Sequence, residues 1–346
     1  MNMAGIQLGK PVQLFLFGEA NIIFFFIHSG FILSYTFTRR NRSLSFRSYA
    51  RFLVERIFRI YPLFLAMLVV SFIVFSNVSP YTARNEADWV ARFWFAETGI
   101  SDLLKQAILV VRLPESANLR LVPQDWTLTI ELLAGAGIPL MAMAGKKHII
   151  LYAAVLAALK LSGLFTTYVF EFGMGVLIFL YWENIVNAWK KIGLPLKVLL
   201  AVATVGLFSG CFTYPHFFAG STVFIEPRVD RLIVGLGCML CFILLLSSTH
   251  LQKFMTRPVF VYTGKICYSI YLVHQVLFLA CWREFPSFLG NLAEQPGWQI
   301  VSIYLLLLLA VMLISSLAYY LVENPMNLLG KRLSALMAGE RKLKRS

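Results

Sequence analysis

Charge is what this sequence has least of. Of its 346 residues only 14% are Asp, Glu, Lys or Arg, against about 25% in a soluble chain, and that scarcity excludes an ordinary soluble globular protein. Acids are scarcer than bases, 17 against 31. Cysteine is sparse as well: Cys211, Cys238, Cys241, Cys267 and Cys281 all fall in or beside apolar stretches. A Cys238-x-x-Cys241 spacing would suggest a redox or zinc site in a cytosolic protein. Here it lies one turn apart within the apolar stretch 232–248, with no second pair of ligands. These thiols read as inert lipid- or core-facing groups, and no metal site is expected. The chain also lacks low-complexity runs, repeats of solenoid period and any loop large enough to fold as a second domain.

What is abundant is apolar surface. Fifty-nine percent of residues are hydrophobic and 15% aromatic, with 30 Phe, and mean hydropathy is +0.73. Such a composition suits lipid-facing helices with aromatic belts at the membrane interfaces. In a soluble chain the net charge of +14 would suggest a nucleic-acid partner. In a membrane protein it reads as topology and contact with anionic lipid, so nucleic acid is set aside and the lipid bilayer is the expected partner.

A spanning helix needs about 20 mostly apolar residues. Nine segments qualify: 20–37, 60–79, 126–144, 149–163, 166–182, 194–212, 232–248, 264–282 and 298–322. The expected fold class is therefore all-α, a polytopic membrane helix bundle of about nine transmembrane helices. The segment 149–163 is short and contains Lys160. A weaker stretch, 100–113, predicts an amphipathic helix lying in the outer interface, with Leu103, Leu104, Ala107 and Ile108 on one side.

Orientation follows from the basic residues of the loops. The segment 38–59 holds Arg39, Arg40, Arg42, Arg47, Arg51, Arg56 and Arg59 against one acid, Glu55, so it is placed in the cytoplasm. Alternating from there puts most of the 31 basic residues inside, including a basic cytoplasmic tail at 327–346. The whole chain, 1–346, reads as a single membrane domain with an N-terminal tail at 1–19. With nine spans and the C-terminus inside, that N-terminal tail falls outside. Either it crosses the membrane or a helix is missing ahead of it.

Ionisable groups inside a bilayer are functional candidates by default. They are His28, Glu131, Lys160, Glu171 and His274, with Glu323 at the inner end of the last span. Their local strings share a pattern. FFFIHSGFILSY at 24–35, RFLVERIFRIYPL at 51–63, DWTLTIE at 125–131 followed by Ile138-Pro139, GKICYSIYLVH at 264–274 and VENP at 322–325 resemble, in order, motifs of the acyltransferase 3 family of integral membrane O-acyltransferases. A looser echo sits at Phe170-Glu-Phe-x-x-Gly175.

That resemblance implies a ten-helix bundle. It takes an acyl group, usually acetyl, from cytoplasmic acyl-coenzyme A and passes it to a hydroxyl, typically on a cell-envelope or exported glycan. Acyl-CoA is then a donor substrate, with no bound cofactor, and the setting is a bacterial inner (plasma) membrane. The family's base is a histidine about ten residues after an arginine on a helix ahead of the Phe-Phe-x-x-Ser-Gly string. Residues 1–19 contain neither His nor Arg, so the chain is expected to begin one span late, by truncation, start-site choice or loss.

Candidate roles follow. O-acyl transfer needs a base for the acceptor hydroxyl, and imidazole suits that task near neutral pH. His274 matches a family histidine. His28 stands either as a substitute base or as a helix-packing contact. Glu131 either orients the acceptor or ties helices together by pairing with an Arg. Arg56, Arg59 and Arg51 are candidates for the phosphates of acyl-CoA, because guanidinium offers a fixed fork for bidentate contact; the remaining Arg of the loop serve topology. Ser29-Gly30 suits close helix packing, Trp126 an interface anchor, and Glu323-Asn-Pro325 the stop of the last helix. Two rival readings stand: an inactive or truncated relative serving as partner or scaffold, and a transporter. The second predicts paired broken helices in symmetric halves, which the sequence does not display.

Overall fold

Long apolar runs without central charge form helices because lipid offers no partner for a bare backbone amide. The computed structural model describes residues 18–40, 44–77, 99–108, 121–148, 151–152, 154–156, 158, 168–208, 227–284 and 297–337. Among them there are no strands. In chain order the helices are α1 (Gly18–Arg40), α2 (Phe46–Asn77), α3 (Ile100–Ala107), α4 (Asp125–Ala144), α5 (Val169–Lys191), α6 (Leu194–Phe208), α7 (Pro227–Ser247), α8 (Thr249–Met255), α9 (Pro258–Lys265), α10 (Cys267–Glu284), α11 (Gly297–Ala318) and α12 (Asn324–Met337). A 3-10 turn, Gly145–His148, follows α4, and a π-helical segment, Tyr319–Glu323, joins α11 to α12.

Among the described residues five helices are long and apolar enough to cross a membrane, and two bent pairs, α7 with α8 (89°) and α9 with α10 (69°), bring the number to seven if each pair is one span. The protein is a multi-pass helical membrane protein. Eight of the nine expected spans coincide with described helices; α6, at 15 residues, is the short one. The segment 149–163, with Lys160, falls mostly outside the described residues.

Three elements depart from the sequence reading. Residues 46–59 are not loop but the first turns of α2, because Arg is a good helix former and Arg51 pairs with Glu55 one turn on, 3.1 Å away. The chain does not stop at Glu323-Asn-Pro325. The N–H of Asn324 reaches back five residues to the Tyr319 carbonyl, and this wider π turn accommodates the missing N–H of Pro325. Residues 324–337 are thus a helix, which takes in the first part of the tail expected at 327–346. In α3, Leu103 and Ala107 pack inward but Leu104 and Ile108 are exposed, while Gln106 is buried. The inward face is set by Gln106, whose Oε1 accepts from the Leu121 N–H at 2.8 Å.

The chain divides into two compact units, one gathering Phe46–Leu132 with Val259–Ser346, the other Leu8–Ser45 with Leu133–Pro258. In the first, the buried stripe of α2 (Ile60, Leu63, Phe64, Met67, Leu68) packs with Leu121, Val122 and Leu128 and with α10 through Leu272, Val273, Val276 and Leu279. Helix α12 lies against α2, where Gly330 meets the Phe58 side chain and Ser334 donates to Glu55 at 2.8 Å.

The second unit is built on a close crossing of α1 and α5. A Cβ at Gly30 would collide with the Phe172 carbonyl, and one at Gly175 with the Ile27 carbonyl. Two backbones approach this closely only where side chains are absent. Gly175→Ala therefore forces the helices apart and is expected to cost about 1–3 kcal/mol. The same change at Gly206, which has open space around it, is expected to stabilise α6 by about 1 kcal/mol through helix propensity. Unfolding of both variants in detergent checks the contrast.

Candidate functional site

The buried stripe of α2 begins with a charge. Arg56 is 5% exposed and sits one turn before Ile60 on the same face. A guanidinium in such a place needs a counter-charge, and α4 supplies Glu131, itself 7% exposed. Arg56 Nη2 donates to the Glu131 backbone carbonyl and lies 3.2 Å from its Oε1. The register that brings the pair level is held at the start of α4. There Ser71 Oγ donates to the Leu121 carbonyl while Gln106 takes the Leu121 N–H. Arg56 and Glu131 are therefore in direct contact.

One turn further, Arg59 is exposed and makes no ion pair among the described residues. Its positive charge acts on Glu323, Cys267 and Arg56. Glu323, 5% exposed in the π-helical turn, accepts a 2.6 Å hydrogen bond from Ser269 Oγ. Tyr268 donates its hydroxyl to the Ile60 carbonyl at 2.8 Å, and Lys265 lies 5.2 Å from the ring centres of both Tyr319 and Tyr320. The bend between α9 and α10 is thereby fastened to α2 and to the π turn.

His274 lies on α10 in the same unit and is exposed. Its Nδ1 lies 3.0 Å from the Ile270 carbonyl. Carbonyl oxygens only accept, so Nδ1 carries the proton and Nε2 presents the lone pair. The ring packs beside Tyr271, centroids 6.1 Å apart. Tyr271 is tied to α4: its hydroxyl is 2.5 Å from Thr127 Oγ1. Thr127 in turn donates to the Gln124 carbonyl at 2.8 Å, and Gln124 Nε2 donates to the Tyr271 carbonyl at 2.9 Å. Thr127 lies on α4 one helical turn before Glu131, so the Arg56–Glu131 pair and the Gln124, Thr127 and Tyr271 ring are both held by the first turns of α4.

Arg51 is engaged with Glu55, which also holds Ser334. His28 belongs to the second unit, on α1, with its ring edge-on to Phe242 at 5.7 Å. Glu171 is fully buried on α5 in that unit, and Cys238 donates to the Ala20 carbonyl at 3.3 Å in its core. Trp126 is half-buried. Gln124, Thr127, Tyr268 and Ser269 were given no role by the sequence, although a signal was present. Thr127 precedes Glu131 by four residues and Tyr271 precedes His274 by three, the spacings that share a helix face.

A family model described as an acyltransferase domain matches residues 4–320. Neither a curated protein nor a solved structure matches the chain.

Proposed function

The chain belongs to the acyltransferase 3 family, matched over most of its length, and from that premise we propose that this membrane acyltransferase moves an acyl group, acetyl foremost, from cytoplasmic acyl-coenzyme A to a hydroxyl of a cell-envelope or exported glycan. The membrane is a bacterial inner membrane, and the C-terminus is cytoplasmic. The observation that carries the reading is the contact of His274 Nδ1 with the Ile270 carbonyl, which makes Nε2 the nitrogen able to accept a proton.

Nε2 takes the proton of the acceptor hydroxyl as its oxygen attacks the thioester carbonyl. The new C–O bond replaces the C–S bond, the ester departs, and the coenzyme A thiolate recovers the proton from the imidazolium. General-base assistance of this kind is worth about 10²–10⁴ in rate. Of the three arginines, Arg59 is the one exposed and outside an ion pair, so it is the phosphate contact. Arg56 is spent on Glu131 and Arg51 on Glu55.

Kinetics with acetyl-CoA test this division. Arg59→Ala is expected to raise KM for the donor about tenfold or more, the worth of one charge-assisted hydrogen bond, with kcat little changed. Arg51→Ala is expected to move KM far less. Equal effects of the two would refute the assignment. Mass spectrometry of envelope glycans with and without the gene identifies the acceptor by the acyl mass that disappears.

A further inference from the structure

We propose that Gln124, Thr127 and Tyr271 form a positioning set that holds the His274 imidazole in register for proton abstraction; this rests on His274 being the base. The three close a ring of hydrogen bonds between the start of α4 and the middle of α10. Thr127 has one hydroxyl proton and gives it to the Gln124 carbonyl, so in the 2.5 Å contact the Tyr271 hydroxyl is the donor. Gln124 then returns its amide N–H to the Tyr271 carbonyl, one residue along α10 from the Ile270 carbonyl that His274 Nδ1 contacts at 3.0 Å. The Tyr271 side chain and backbone are thus both held by α4, and its ring is pinned beside the imidazole.

The arrangement is poor as plain packing. Gln124 is 4% exposed, and its Oε1 is buried with no donor among the described residues. A buried acceptor left unpaired costs stability that an apolar side chain of the same size would not. The set lies among Leu121, Val122, Leu128 and Leu272, all fully buried, where leucine would satisfy the core. The polar ring gives instead a fixed orientation, the property a base requires, since a misplacement of about 1 Å costs about a hundredfold in rate.

The test is steady-state kinetics of the purified full chain with acetyl-CoA, with melting in detergent as the control for folding. Thr127→Val keeps the shape and deletes the hydroxyl; Thr127→Ser keeps the hydroxyl; Tyr271→Phe deletes the donor. Val and Phe are expected to lower kcat about 10–100-fold with KM for acetyl-CoA within about twofold, and Ser to stay within about threefold of wild type. Wild-type kcat in both Thr127→Val and Tyr271→Phe, beside an inactive His274→Ala, overturns the positioning set and leaves the base in place. A Ser variant as slow as Val overturns it too, because the hydroxyl would then not be what matters. Undiminished transfer in His274→Ala instead removes the base itself, a failure of the functional reading that these arms separate from the first.

Discussion

Glu131→Ala is expected to be the most destabilising single change in the protein. It strips the counter-charge from Arg56, whose side chain is 4% exposed, and leaves a guanidinium in the apolar core beside Ile60 and Leu63. Removing one member of a buried pair costs about 3–5 kcal/mol, whereas replacing both by apolar groups of similar volume is often neutral or stabilising. The double variant Arg56→Met with Glu131→Leu is therefore expected to recover most of the stability that Glu131→Ala loses. Unfolding of the three proteins in the same detergent measures it. A Glu131→Ala protein as stable as wild type would mean that the pair ties nothing. Recovery in the double variant would separate a charge effect from a cavity effect, since the cavity at α4 is filled in only one of the two.

The largest effect on rate is expected from His274→Ala, about 10²–10⁴-fold in kcat, with stability close to wild type because the side chain is exposed. His28→Ala is the comparison. Its ring rests edge-on against Phe242, an aromatic contact worth about 0.5–1.5 kcal/mol, so the change is expected to touch stability modestly and rate within several-fold. A collapse of transfer in His28→Ala, with His274→Ala unaffected, would exchange the two histidines' roles.

Hydropathy made the helices legible because burial in lipid demands long uninterrupted apolar runs, and α1, α4 and α11 follow them closely, while α5 runs on to Lys191, nine residues past the expected end. Charge counting obscured the start of α2. Arg47, Arg51, Arg56 and Arg59 look like loop to a rule that reads charge as water, yet each tolerates a helix, and Arg56 is buried there by its partner. That Glu131 would pair with an Arg was legible, but which Arg is set by the register that Ser71, Gln106 and Leu121 hold, which no charge count carries. Pro325 read as a stop because an α-helix cannot absorb its missing N–H, and the π turn that does so has no sequence signature. Of the site, the residue types were visible in the motif strings, but the hydrogen-bond ring of Gln124, Thr127 and Tyr271 joins residues 147 apart in sequence, a relation that no local pattern carries.

The most direct measurement is transfer by the purified protein in proteoliposomes supplied with acetyl-labelled acetyl-coenzyme A and an envelope glycan extract. Release of coenzyme A thiol, matched mole for mole by label in alkali-labile ester on the glycan, is the expected result. Folded protein that releases no more thiol than empty vesicles, and leaves the glycan unlabelled, would contradict it.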